Sequence, residues 1–395
     1  MNQHDRIAKV IEEYDAQGIH RTATLVDEQS AHWLADQVRA IGLEPVLEGY
    51  EINRLDPGDC YLEVAGRRID GVPLFDSTHT DASGVRGRLA LPEASGDGRA
   101  PIRLLEGGHR TATVREAREA NAASALVVLT TGHGATNFSS GSKPGLALLN
   151  AFDFDAPFGP PALQVSSTEG DWLRAQAEAG EEIAVVAHAE RTRATAYNVT
   201  TELAGADPSL MPLAVNTPRS GWWEIAAERG GGIACWLEVM RSVVESGSPR
   251  RVFFSANTGH ELGFSGTDAI LDNHPELTTG ATWLHFGANI GSASGNQGNL
   301  AASTEALRAV AEPEYAQVDR PMRHVIGEAG GGEMATIHRR GGRQYLALTN
   351  DNALFHMRED RYPDNVDVDL VTQFAAASQR IAQSLAAHLP ADVDA

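Results

Sequence analysis

The sequence predicts an α/β fold: a mostly parallel, twisted sheet flanked by helices, with a β-rich domain inserted into it. Three observations carry this expectation. Beyond Tyr197, short apolar runs alternate with amphipathic helical patterns, and strands that are apolar on both faces belong in a sheet covered on both sides. From about residue 71 to residue 190 the texture changes to short β-like runs rich in Gly, Pro, Ser and Thr, which marks a separate unit. A chain of 395 residues is long enough to bury two cores. The expected division is a main domain of residues 1–70 and 191–395, and an insertion of residues 71–190.

The elements follow in order. Residues 5–42 read as two helices, the second (SAHWLADQVRAIG) stopped by Gly42, since glycine tolerates the left-handed residue that ends a helix. EPVLEGYEI follows as a strand. The insertion holds the β-like runs VPLFDS, VRGRLAL, ASALVVLTT, PALQVSS and EIAVVAHAE, with a helix at TVREAREAN. Then come strands at 210–216, 251–257 and 281–291, and a helix at 232–246 with apolar positions 233, 236, 237, 240, 243 and 244. A last helix, 366–389, carries Leu370, Phe374, Ile381, Leu385 and Leu389 on one face.

Composition excludes some functions. A net charge of −21 argues against nucleic acid and anionic membranes as partners, because both reward positive patches. The two cysteines cannot make a disulfide framework, and Cys235 sits in the apolar pattern of the 232–246 helix as an inert thiol. MNQHDRIAKVIEEYD lacks the apolar core of a secretion signal, and no run of about eighteen apolar residues occurs. A cytoplasmic protein is expected. G-x-S-x-G, Walker and H-E-x-x-H signatures are missing, and the glycine clusters at 230–232 and 330–332 do not follow the dinucleotide fingerprint.

One stretch carries chemistry. SANTGHELGFSG (255–266) follows an apolar strand and sets His260 beside Glu261 in a turn of small residues. With TAYNVTTELAGADP (195–208), ERGGGIACWLEVMR (228–241) and LFHMREDRYPDNVDVDLV (354–371), it resembles, in order, four segments of the zinc aminopeptidase family that also contains glutamate carboxypeptidases and glutaminyl cyclases. The insertion resembles a protease-associated domain, so the likeness covers nearly the whole chain.

That resemblance implies a site for two zinc ions, and this chain matches it in part. The first-zinc histidine falls at Thr217 (or Asn216 with a one-residue slip), the Asp two positions on becomes Arg219, and the other first-zinc ligand becomes Ala288. The bridging Asp becomes Glu228 and the general-base Glu becomes His260, while Glu261 and His356 match the second-zinc ligands. One divalent ion, zinc by the resemblance, is therefore expected on Glu228, Glu261 and His356. Glutaminyl cyclases hold one zinc at the corresponding positions, and three protein ligands with an open position suit catalysis. His260 is the expected proton carrier. Thr217, Arg219, Trp222 and Asn289 are the substrate-binding candidates, Arg219 forking onto a substrate carboxylate or pairing with an internal one such as Glu228. Glu228 alternatively pairs with Arg229. His285, out of phase with Ala288 on its strand, is expected to face away from the site.

The implied activity is hydrolysis, or a related acyl transfer, at an amide or peptide-like bond of a small substrate, a peptide or N-acyl amino acid. Two alternatives stay open: a non-catalytic binding protein that keeps the cleft, and a metal-free enzyme using His260 and Arg219.

Overall fold

The computed structural model describes residues 1–92, 101–107, 112–132, 143–327 and 331–389. The chain begins with α1 (Gln3–Asp15) and α2 (Leu25–Ile41). Thr24 caps the start of α2 and Gly42, at φ 103°, ends it, a conformation that costs glycine little.

The next elements are β1 (Val46–Val64), β2 (Arg67–Asp70), β3 (Val72–Pro73), β4 (Val85–Ala90), β5 (Ile102–Gly107), α3 (Ala112–Ala120), β6 (Ala125–Thr130), β7 (Ala162–Ser166), α4 (Gly170–Ala179) and β8 (Glu182–Leu203). Strands β4, β5, β6 and β7 are parallel neighbours, with β3 antiparallel at the far edge. Leu62, Leu104, Val127, Leu163, Leu173 and Val185 fill a core of their own in this part of the molecule. Long β1 and β8 form an antiparallel ribbon from Val46 opposite Thr200 to Val64 opposite Ile183, with a register shift between Pro57 and Cys60. The expected boundary at 190/191 falls inside β8, whose far end pairs with β4 and whose near end pairs with the main sheet.

The remaining elements are β9 (Leu213–Pro218), α5 (Gly231–Ser246), β10 (Val252–Asn257), α6 (Ser265–Asn273), α7 (Pro275–Gly280), β11 (Thr282–Phe286), β12 (Gly298–Ala302), α8 (Glu305–Tyr315), β13 (Met322–Ile326), α9 (Glu333–Arg339), β14 (Tyr345–Asn350) and α10 (Val368–Ala387). The strand order here is β13-β12-β14-β11-β9-β10-β8. The centre, β14-β11-β9-β10, is parallel, but β12 runs antiparallel to β14 and β8 antiparallel to β10. The sheet is thus mixed: β12 and β13 pair parallel like the centre, as the apolar runs suggest, and the antiparallel pairings are those of β12 with β14 and β8 with β10. An apolar run shows that both faces are covered; it does not fix direction.

Strand alternation explains both covering layers. Phe254 and Leu284 point into the core shared with Trp236 and Met240 of α5 and Phe374 and Ile381 of α10. Phe253 and Trp283, one residue earlier in each strand, point into the core built with Ile270, Leu277, Met334 and Ile337. Cys235 is fully buried in the first of these. Among the described residues no helix is long and apolar enough to cross a membrane.

Candidate metal and catalytic site

The site lies where the parallel strands end, as expected for an open α/β sheet. Ile225, at φ 52°, turns the chain into Ala226–Gly230, one wide π-type turn that carries Glu228 into α5. Such turns are frequent at functional positions. The loop after β10 presents His260, the end of β11 presents His285, the start of α9 presents Glu333, and the loop after β14 presents His356. Of the seven non-glycine residues with positive φ among the described residues, Ile225, Phe264, Asn289 and His356 stand at or beside this place. Backbone strain of this kind persists only where packing over-determines it.

Each histidine has one nitrogen engaged. His356 Nδ1 donates to the carbonyl of Leu148 at 2.6 Å, so its proton sits there and Nε2 carries the lone pair. His356 Nε2 lies 3.7 Å from Glu228 Oε1. His260 Nδ1 lies 2.7 Å from Glu333 Oε1, which orients the ring. Glu228, His260 and His356 each offer one donor atom within 4.8 Å of the others, and all three are buried. Burial pushes the Glu228 carboxyl up, against the pull of Arg229 and His260. Burial also pushes Glu333 up, but His260, His285 and Arg229 together outweigh it and hold that carboxyl at about 2.

A cavity of about 200 Å³ opens onto these groups. Its walls include His260, His285, Glu333 and His356, with Phe152, Phe264 and Phe355 as an apolar rim. His285 therefore faces the site, contrary to the strand-parity expectation. Its strand ends at Phe286 and the chain turns at Gly287–Asn289, so alternation does not carry through to Ala288. Burial pulls the His285 imidazole down to about 4.

The other expected site residues do not line the cavity. Glu261 is fully buried and saturated: its Oε1 accepts from Thr22 N and Thr22 Oγ1, both at 2.7 Å, and its Oε2 accepts from Ser220 Oγ at 2.7 Å. It does not join the set formed by Glu228, His260 and His356. Arg219 is fully buried and pairs with Asp27 at 2.8 Å and the Tyr197 carbonyl, not with Glu228. Thr217 Oγ1 donates to the Phe286 carbonyl at 2.8 Å. Asn289 bonds Asn350 and Asn352, and Trp222 lines a second cleft rather than the cavity. Glu333 was not anticipated. Its signal was Gly-Gly-Glu at 331–333, one of the glycine clusters that matched no nucleotide motif.

The residues fit one ion. Zinc bonds of about 2.0–2.1 Å place neighbouring tetrahedral donors roughly 3.3 Å apart, close to the spacing of Glu228 and His356. Both Glu228 oxygens are buried without a well-aligned hydrogen bond. Arg229 Nη2 stands 2.6 Å from Oε1, out of hydrogen-bond alignment, and is the competing cation. Histidines whose second nitrogen is held by a carboxylate or a carbonyl are usual around a bound metal. At the other expected position Thr217 and Ala288 offer neither imidazole nor carboxylate, so a second ion has no donors there.

Fold and site together define an α/β chain with a candidate metal site at the ends of its parallel strands. Three solved structures share its architecture: a zinc aminopeptidase from Bacillus subtilis (TM-score 0.76, 16% identity, covering 98% of this chain and 95% of that one), the aminopeptidase from Aneurinibacillus sp. strain AM-1 (0.73, 16%, 98% and 94%) and a peptidase M28 precursor from Shewanella amazonensis SB2B (0.73, 14%, 98% and 96%). The chain has the zinc-aminopeptidase fold. No protein-family model and no curated protein matches its sequence.

Proposed function

We propose that the chain is a single-ion hydrolase acting on an amide or peptide-like bond of a small, apolar substrate such as a short peptide or an N-acyl amino acid. The convergence of Glu228, His260 and His356 carries this reading. These three would hold the ion, which supplies polarisation of the carbonyl and activation of water. Glu333 fixes the His260 ring through Nδ1. His285, kept neutral at pH 7 by burial, has Nδ1 3.0 Å from Asn216 Oδ1 and Nε2 3.7 Å from the Glu333 carboxylate, and can take up a proton between Glu333 and the substrate. Phe152, Phe264 and Phe355 take the apolar side chain and exclude water. Residues 71–190 would form a protease-associated-like insertion, supplying Asn150 and Phe152 as one wall.

One observation favours an ion-free variant, in which His260 is the general base oriented by Glu333: the Arg229 guanidinium already sits against Glu228. Elemental analysis of protein purified without chelator, with assay on a panel of N-acyl amino acids and dipeptides, separates the two. About one ion per chain, with retention weakened roughly 10–100-fold in Glu333→Gln, is the expected result. Turnover without any ion would favour the His260–Glu333 base. Neither ion nor turnover would leave a binding protein.

A further inference from the structure

A second cleft, of about 370 Å³, lies on the other side of the wall that holds His356. Leu148 lines it and accepts the His356 Nδ1 proton, and Trp223 lines it and donates to the His356 carbonyl at 3.0 Å. Three arginines reach the cleft: Arg21, Arg68 and Arg358. Arg68 is neutralised by Asp70 at 3.0 Å. The other two have little compensation. Arg21 Nε is buried with no hydrogen bond. Its nearest carboxylate, on Asp56, is 3.6 Å away and already receives two hydrogen bonds from Arg54. Burial pulls this guanidinium down, against Asp56 and Glu261. Arg358 is exposed and lies 4.4 Å over the Trp223 ring; among the described residues it has no ion pair.

We propose that this cleft is a binding site for a monoanionic carboxylate with an aromatic or apolar body. Arg21 and Arg358 take the carboxylate, as guanidinium forks do, and the accessible apolar lining, Ile19, Pro57 and Val72, takes the body. The charge count selects a monoanion: Arg54 already takes Asp56, so Arg21, Arg68 and Arg358 face Asp59 and Asp70 and leave one net positive charge in a chain of net −21. A polyanion would meet the two aspartates, and a neutral amide would leave that one charge uncompensated. The carboxylate can belong to a peptide's C-terminus or to a free aromatic acid.

The test is calorimetric titration of the full chain with phenylacetate, phenylacetamide, inorganic phosphate and N-acetyl-glycyl-phenylalanine, which needs no turnover. Phenylacetate is expected to bind roughly tenfold or more tightly than phenylacetamide and phosphate, and to lose that margin in Arg358→Gln and Arg21→Gln. Arg358→Gln alters an exposed side chain, so an unchanged thermal midpoint certifies its fold. The dipeptide binding more tightly than phenylacetate, with that margin lost in Arg358→Gln, assigns the cleft to a peptide terminus; equal affinity assigns it to a free acid. Phe152→Ala, on the rim of the other cavity, should leave binding intact. Equal affinity for acid and amide, tighter phosphate, unchanged binding in both arginine variants, or loss in Phe152→Ala would each overturn the proposal.

Discussion

Three hydrogen bonds converge on the Glu261 carboxylate, two from Thr22 and one from Ser220, and they tie the N-terminal segment to the loops after β9 and β10. Truncation would leave a buried backbone N–H and two hydroxyls facing an apolar gap. Glu261→Ala is therefore expected to cost about 2–5 kcal/mol while ion content per folded chain stays unchanged; thermal denaturation and elemental analysis read the two separately. His20 makes a different residue-scale prediction. Its ring stacks on Tyr14 at 3.8 Å, Nε2 donates to the Tyr14 carbonyl, and Nδ1 is buried without a partner. Burial pulls its pKa from 6.5 to about 3, helped by Arg219 and opposed by the bond to Tyr14. Between those values the unfolded chain binds the proton and the folded chain does not, so this stabilisation is complete above pH 6.5 and lost as pH falls toward 3. Denaturant midpoints between pH 4 and 7 should fall with acidity, and less steeply in His20→Phe. Because each sits in a segment with fixed spacing, motif matching picked out Glu228, His260 and His356, but with Glu261 in place of His260 in the expected ligand set. It could not see that Thr22, some 240 residues away in sequence, satisfies Glu261, or that Glu333 backs His260.

The turn before α5 shows how an element aims a side chain. Asp360 accepts from the N–H groups of Ala227 and Glu228 at 3.0 and 2.9 Å, fixing the backbone that carries the Glu228 carboxylate. The following glycines let α5 start hard against β11's exit: a Cβ on Gly231 would stand 1.8 Å from the Ile290 carbonyl. Gly231→Ala should cost about 1–3 kcal/mol or more and displace Glu228, so ion retention should fall with the melting midpoint. A stability loss with retention unchanged would show that Glu228 is not a ligand. Helices α2, α5 and α10 were readable because apolar stripes and Gly42 are local signals. VPLFDS shrank to the two residues of β3, and the strand expected over 281–291 stops at Phe286, since turns formed against distant chain override strand propensity.

At the scale of the molecule, one ribbon joins what the texture of the sequence divides. Arg191 follows Glu190 without a break in the β1–β8 ladder, opposite Leu55 and Asp56, and the apolar cluster around α5 also takes in Phe75, Leu148 and Phe154 from the 71–190 segment. Unfolding followed by far-ultraviolet circular dichroism and by tryptophan fluorescence, which includes Trp172 on the far side of the ribbon, should trace one coincident transition. Two separated transitions would mean that the 71–190 segment melts by itself.

The ribbon's register slips between Pro57 and Cys60, and both residues line the arginine-bearing cleft. A ladder this long behaves as a beam, and an irregular rung is where a beam yields first. A guest seated among those arginines would act as a wedge at the yielding point. It would also press on Leu148, whose carbonyl holds the His356 ring, and so reach a cavity it never enters.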